Sequence, residues 1–238
     1  MRAIIMAGGK GTRLGPVCRR IPKPLVPVGD HAIVEILIRQ LAACGFAQAT
    51  LTLSHCGRLL AAYFADQDLG LALDFFSEPT PLGTMGALCL LPDLPEHVLV
   101  VNGDTLTDLD FGALIGEHLA RGAALTVATN RRRHVVDFGA VTADGDGMVT
   151  AFAEKPALEY EAAMGCNVIS AAAIRLLSRD EPAGFDTLLL ACLREGLPVR
   201  AHRHAGYWRD IGRPEDYQLA NEEFAAMRDT LLPEVAHG

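Results

Sequence analysis

"RAIIMAGGKGTRLG", residues 2–15, decides how the rest of the chain is read. Its first half is a short apolar run that reads as a buried strand. Its second half gathers Gly8, Gly9, Gly11 and Gly15 around Lys10 and Arg13. Glycine costs conformational entropy on folding, so a tight turn would need one or two and a cluster needs a further reason. A bare backbone next to positive charge suits a loop that lies directly against an anionic ligand.

Outward from that loop, strands and helices alternate. "HAIVEILIRQLAACG" (31–45) sets Ile33, Ile36, Leu37, Leu41 and Cys44 on one helical face, with Gly45 as the stop. "ATLTLS" (49–54) reads as a strand, Leu59 to Phe64 as a short helix, "LALDFF" (71–76) as a strand and "GALCLL" (86–91) as an apolar helix. "HVLVVNGD" (97–104) is the clearest buried strand and ends on a turn signal. Such alternation predicts crossover units and a mostly parallel sheet covered on both faces, with ligands beyond the carboxyl ends of its strands. The glycine loop and Asp104 both fall there. After about residue 123 the strand-like segments crowd together: "AALTVAT" (123–129), "FGAVTAD" (138–144), "MVTAFAEKP" (148–156), "GCNVIS" (165–170) and "PVRAHRH" (198–204). With fewer intervening helices, they predict an added sheet forming the other wall of a cleft. "RPEDYQLANEEFAAMRD" (213–229) reads as a helix with Pro214 near its start. No linker, repeat or low-complexity tract divides the chain.

The 238 residues are half apolar, with a net charge of −8 and a mean hydropathy of +0.22. This is a globular composition. The one basic run, Arg131 to Arg133, is too little for a nucleic-acid face. Six scattered cysteines without a C-x-x-C pair read as reduced core residues of a cytoplasmic protein. "MRAIIMAGG" is too short for a signal peptide and no stretch has the length of a membrane span. Neither nucleic acid nor membrane is an expected partner.

Two familiar phosphate loops do not fit. No Lys follows the second glycine at Walker spacing, and Leu14 stands at the third glycine position of the dinucleotide fingerprint. Downstream, "PKPLVPV" (22–28) holds Lys23 between two prolines that fix the backbone and where the amine points.

With "AGGKGTRL" (7–14) and "PKPLVPV", the chain resembles the sugar-nucleotidyltransferase family, which joins a nucleoside triphosphate to a sugar 1-phosphate. The resemblance runs on through "EPTPLGTMGAL" (78–88), "VVNGDTL" (100–106), "FGAV" (138–141), "EKP" (154–156), "CNVIS" (166–170) and "GYWRDIGRPEDY" (206–217). It implies a Rossmann-like α/β fold: a mostly parallel mixed sheet flanked by helices, with an added sugar-binding β region. It also implies one domain over 1–238, in which about 1–122 bind nucleotide and about 123–238 bind sugar and end in a helix. Many relatives carry a carboxy-terminal β-helix domain, and only about 20 residues follow "RPEDY", so none is expected. The chain resembles compact guanylyltransferases for manno-heptose 1-phosphate and mannose 1-phosphate, and also compact uridylyl-transferring relatives.

The implied reaction is attack of a sugar-phosphate oxygen on the α-phosphorus, with pyrophosphate leaving. A phosphate monoester is already mostly dianionic at pH 7, so positioning and charge neutralisation matter more than a strong base. Carried over residue by residue, the resemblance assigns the triphosphate to Gly8, Gly9, Gly11 and Thr12, with Arg13 on the β- and γ-phosphates. Ala7, Pro81, Leu82, Gly83, Thr84, Asn102 and Gly103 complete the nucleotide set. Lys23 would bridge the reacting phosphates. Asp104 and Asp210, 106 residues apart, would hold Mg²⁺, which takes one or two carboxylates plus substrate phosphates. Glu154 is assigned to sugar hydroxyls and Lys155 to the sugar phosphate, with Gly139 and Asn167 against the same sugar. Trp208 either walls that pocket or fills the core.

Glu78 stands where thymidylyl-transferring relatives tend to carry Gln. A carboxylate can accept the adjacent N1–H and N2–H of guanine together, which leans towards GTP. "HRH" (202–204) reads as ordinary strand residues before a metal pair, and "RRRH" (131–134) as a solvated basic loop before a phosphate-reaching one. The rival classes are a catalytically silent paralogue and a dinucleotide-dependent oxidoreductase. The first should lack one of Arg13, Lys23, Asp104, Lys155 or Asp210; the second needs an acidic ribose contact where "PKPLVPVGD" stands. Assembly as a homodimer is left open.

Overall fold

The computed structural model describes residues 2–9, 11–15, 18, 21–53, 57–78, 80 and 82–233, with only the backbone of Thr12. In chain order the elements are β1 (Arg2–Met6), β2 (Pro27–Val28), β3 (His31–Ala32), α1 (Ile33–Ala43), β4 (Gln48–Leu53), α2 (Gly57–Phe64), β5 (Ala72–Ser77), α3 (Gly83–Gly86), β6 (His97–Asn102) and β7 (Thr105–Thr107). There follow α4 (Phe111–Ala120), β8 (Leu125–Val135), β9 (Ala140–Ala143), β10 (Val149–Ala153), β11 (Ala157–Ser170), α5 (Ala171–Ile174), α6 (Phe185–Arg194), β12 (Val199–His204), β13 (Trp208–Asp210) and α7 (Pro214–Leu231).

A seven-stranded sheet in the order β12-β8-β11-β6-β1-β4-β5 forms the centre. β1 pairs parallel with both β4 and β6, β4 with β5, and β8 with β12. Only β11 runs against its neighbours, β6 and β8. The mostly parallel, mixed sheet expected from the alternation is therefore present. Ile5, Leu51, Leu99 and Val101 face one layer with Leu37, Leu41 and Phe111, while Ile4, Val98 and Val100 face the other with Met85, Leu188 and Cys192. Alternate side chains thus serve both faces, as a sheet covered on both sides requires.

The second half departs from the expected separate wall. β8, β11 and β12 join the central sheet, β9 and β10 form an added two-stranded sheet, and β13 pairs with β7 of the first half. The "RRRH" segment is the outer end of β8 rather than a loop, because Arg131 to His134 pair in register with Leu158 to Glu161 of β11. Three helices among the described residues, the short α5 and the longer α4 and α6, were not expected from the sequence. In α4, Gly112 and Gly116 blur the helical period, but Asp110 caps its start by accepting the Ala113 N–H at 2.9 Å. In α6, only Leu188 and Cys192 are buried, too thin a stripe to stand out. The helix expected at 86–91 is one α turn, α3, followed by a 3₁₀ turn at Ala87–Cys89.

α1 stops as expected, with Gly45 at φ +80°. Its buried face holds Ile33, Ile36, Leu37 and Leu41, but Cys44 lies past the last turn and is exposed. Among the described cysteines Cys166 and Cys192 are buried, Cys18 and Cys89 are half-buried, and none is disulfide-bonded. The expectation of core cysteines therefore holds for two of the five; Cys56 lies outside the described residues. No described helix is long and apolar enough to cross a membrane.

Candidate active site

The loops after β1 and β6 are tied side by side at the carboxyl ends of their strands. The Gly103 N–H donates to the Met6 carbonyl at 3.0 Å, and the Ala7 N–H to the Thr52 carbonyl at 3.0 Å. A cavity of about 440 Å³ opens over this edge. Ala7, Gly8, Gly9, Gly11 and Arg13 line it from the first loop, Asn102, Gly103 and Asp104 from the second, and Lys23, Glu78, Gly83 and Thr84 from outside. Met6, Pro24, Thr52 and Gly212 also line it, though none of them was assigned a role in the site from the sequence. Strand alternation explains Met6 and Thr52, which stand at carboxyl ends on one face; Gly212 and Pro24 adjoin residues that were singled out.

Of the loop glycines, Gly11 has φ +62°, and a Cβ there would sit 2.8 Å from Cys18 Sγ and 3.1 Å from Lys23 Cβ. The loop therefore folds down onto the segment carrying Lys23, and only glycine fits. Gly9, in contrast, has open space where a Cβ would stand. No steric need accounts for it within the chain.

Lys23 pairs with Asp104 through Nζ and Oδ2, both side chains being mostly buried. Asp210 arrives by a separate route. β13 pairs antiparallel with β7, setting Asp210 opposite Thr105, and the Ile211 N–H donates to the Asp104 carbonyl at 3.0 Å. A Cβ at Gly212 would lie 3.3 Å from Asp210 Oδ2 and 3.7 Å from Arg13 Cζ, so both charged groups meet beside it. Crowding by protein and the nearby Asp104 carboxylate push the Asp210 carboxyl above its ordinary range, against the pull of Lys23 and Arg13. By area Asp210 is exposed, so solvent screens part of that push. Asp104 lines the cavity and Asp210 stands beside it without lining it; two carboxylates held together at this cost fit a divalent cation completed by substrate phosphates. Among the described residues no cluster of three His, Cys, Asp or Glu offers an all-protein metal cage.

Glu78 lines the cavity, but its Oε2 accepts the Leu82 N–H at 2.9 Å. One carboxylate oxygen is thus engaged in bracing its own turn. Leu82 is buried and lies behind the wall, its carbonyl accepting the Ala183 N–H at 2.8 Å. Gly83, at φ +77°, presses its backbone against Ala183. Pro81 and the Thr12 side chain lie outside the described residues.

The sugar set is not gathered into this cavity. Gly139, Glu154 and Lys155 are exposed on the β9–β10 hairpin, where Gly139 adjoins the Phe152 ring and Glu154 Oε2. Lys155 has φ +43°, a left-handed backbone that costs a side-chain-bearing residue roughly 1 kcal/mol and tends to occur at functional positions. Asn167 is buried within β11, and its Oδ1 has no protein partner among the described residues. Trp208 packs against the core and also lines a second cavity, of about 450 Å³, with Asn130, Arg132 and Arg209. Arg132 lies over the Trp208 ring, 4.5 Å from its centroid, and donates to the Trp208 carbonyl at 2.9 Å. His202 and His204 each engage a separate acid, Glu117 at 2.5 Å and Asp108 at 2.7 Å, which agrees with strand residues and not a metal pair.

A glycine loop, two cations and two carboxylates at the carboxyl edge of such a sheet define a class of proteins that handle nucleoside phosphates. The chain belongs to the nucleotidyl transferase family, which matches residues 2–226. Among its relatives is D-glycero-alpha-D-manno-heptose 1-phosphate guanylyltransferase of Campylobacter jejuni, 30% identical over 91% of this chain and 97% of that one. UTP–glucose-1-phosphate uridylyltransferase of Synechocystis is 31% identical over 92% of this chain. This chain spans 62% of that protein's length, and the same share of the mannose-1-phosphate guanylyltransferase of Mycobacterium tuberculosis. The crystal structure of HddC from Yersinia pseudotuberculosis superposes with a TM-score of 0.72 at 29% identity, covering 94% of this chain and 99% of that one.

Proposed function

We propose that the chain transfers a nucleoside monophosphate from GTP to manno-heptose 1-phosphate or mannose 1-phosphate, releasing pyrophosphate. The observation that carries this reading is the meeting of the glycine loop, Arg13, Lys23 and Asp104 at one cavity, with Asp210 beside it against the lining residue Gly212. A sugar-phosphate oxygen attacks the α-phosphorus, a new P–O bond forms, and the bond from the α-phosphorus to the bridging oxygen breaks as pyrophosphate departs. The loop backbone holds the triphosphate, Arg13 takes charge on the β- and γ-phosphates, and Lys23 exchanges Asp104 for the reacting phosphates. Lys155 holds the sugar phosphate in line, with Gly139, Glu154, Asn167 and Trp208 around the sugar. Asp104 and Asp210 would hold Mg²⁺, which supplies charge neutralisation on the phosphates.

Guanine is supported by the Campylobacter relative and by a structure of the Yersinia protein complexed with GMP-PN, at 27% identity and a TM-score of 0.70. UTP is the second reading, favoured by the Synechocystis relative and by the Leu82 N–H that already occupies one Glu78 oxygen. The reading takes 1–238 as one domain at work in the cytoplasm and a homodimer as its working unit.

The deciding experiment is pyrophosphate release with Mg²⁺ over a grid of nucleoside triphosphates and mannose, manno-heptose, glucose and N-acetylated amino-sugar 1-phosphates. Strong turnover with GTP in the mannose-configured columns is expected. Strong turnover under UTP would overturn the base, and silence throughout, from folded protein, would overturn the reaction.

A further inference from the structure

β13 is a strand of 3 residues that pairs with β7, yet it carries both Trp208 and Asp210. Two such short strands are marginal by themselves in water, so their placement needs further ties. Alternation along β13 turns Trp208 and Asp210 to one face and Arg209 to the other. On that other face Arg209 meets Glu223 of α7 through two hydrogen bonds, Nε donating to Oε2 at 2.6 Å and Nη2 to Oε1. A planar guanidinium forked onto a carboxylate fixes direction as well as distance. The two side chains are 26% and 33% exposed, so this is not one of the loose surface pairs that contribute little. The guanidinium also holds the Glu223 carboxyl below its ordinary range.

α7 is in turn a fixed reference. Its Phe224 is buried in one cluster with Leu106 of β7 and with Ile211, the residue after Asp210. Its Asn221 Oδ1 accepts the Gly29 N–H at 3.0 Å, and Arg228 pairs with Asp30 at 2.7 Å. A Cβ at Gly29 would lie 2.3 Å from the Phe224 ring, so the turn between β2 and β3 presses directly on the helix. That turn closely follows Lys23. One helix thus braces the segments that deliver Lys23 and Asp210 to the site.

We infer that Arg209 and Glu223 are positioning residues, whose fork seats β13 on α7 and thereby holds Asp210 beside Asp104. Neither lines the cavity under the glycine loop. The inference rests on the proposed chemistry for what Asp210 does, and on geometry alone for where it stands.

Hydrogen exchange on the full chain without ligands tests the placement. The marker is the Ile211 amide, which is bonded to the Asp104 carbonyl. In Glu223→Gln and in Arg209→Lys it should exchange at least about tenfold faster than in wild type, while amides of α1 and β6 keep their protection. The charge-swapped double variant, Arg209→Glu with Glu223→Arg, rebuilds the pair and should slow the exchange again. An Ile211 amide as slow in both folded single variants as in wild type, or a double variant no slower than the singles, would overturn the clamp. Turnover tests the action through Asp210. With the substrate pair that wild type uses best, Glu223→Gln should lower kcat about tenfold, but should lower it no further in an Asp210→Asn background, where no second carboxylate is left to aim. A full tenfold loss in that background would overturn the route through Asp210. A wild type that turns over no pair but shows the expected exchange would leave the clamp standing and count against the chemistry alone.

Discussion

The backbone N–H of Ile211 donates to the carbonyl of Asp104 at 3.0 Å. That bond, with the pairing of Asp210 opposite Thr105, brings two acids from distant parts of the chain to one side of the cavity. Their mutual repulsion is unfavourable in the free protein, which makes sense where a cation or a polyphosphate complex relieves it.

Asp104→Ala and Asp210→Ala should each lower turnover at least about a hundredfold while leaving circular dichroism unchanged. The metal-free Asp210→Asn protein should be slightly more stable than wild type, within about 1 kcal/mol or ~2–4 °C in Tm, because one of two crowded charges is gone. Mg²⁺ with triphosphate should raise the Tm of wild type by more than that of Asp210→Asn. Equal rises would remove Asp210 from the metal site.

Gly9 and Gly11 separate two reasons for glycine. Gly11→Ala meets the Cys18 side chain and Lys23 Cβ at an unfavourable φ, so unfolding in urea should show a loss of about 1–3 kcal/mol. Gly9→Ala has room, so its stability should stay within about 0.5 kcal/mol of wild type while triphosphate affinity falls about tenfold or more. Unaltered affinity in Gly9→Ala would mean that the phosphates do not approach the loop backbone there.

At Lys155, strain and function should move in opposite directions. Lys155→Gly relieves the left-handed backbone and should gain up to about 1 kcal/mol of stability. The same variant should raise the sugar-phosphate KM about tenfold or more, through loss of a charge-assisted contact. A KM change confined to the triphosphate would contradict the assignment.

Glu78→Gln tests the base. If the free carboxylate oxygen reads guanine, the ratio of kcat/KM for GTP over UTP should fall about tenfold. If Glu78 only braces its turn through Leu82, the ratio will hold and only stability will change.

His118 is wholly buried between His97 at 2.9 Å and Thr126 at 2.8 Å, and burial first, then His97, pulls its pKa down to about 4. Its folded pKa lies below the unfolded value of about 6.5, so the unfolded chain gains the proton first on acidification. Stability should be flat above pH 7 and fall between about pH 6.5 and 4, by at most ~3 kcal/mol from this group. Urea unfolding at pH 7 and pH 5 measures it; His118→Gln should flatten the slope, and an equally steep slope in that variant would assign it to other groups.

Local pattern in the sequence carried much of the fold. The apolar runs of β1, β4 and β6 and the helical period of α1 follow from which side chains avoid water, and Gly45 stops α1 because glycine takes φ +80° without strain. Lys23 between two prolines, Asp104 at the end of a buried strand and the glycines of the first loop were legible for the same reason: each is set by residues within a few positions. Helices whose signals are diluted, such as α4 with its two glycines, were not. Only tertiary structure decided that Asp210 meets Asp104, that β11 enters the sheet against its neighbours, and that Glu78 spends one oxygen on its own turn. Nor could sequence alone show that the hairpin bearing Gly139 and Glu154 stands uncovered. Those outcomes depend on which distant strands pair and in what register, and that choice is made by the summed burial and hydrogen bonding of the whole sheet, to which no short stretch holds the answer.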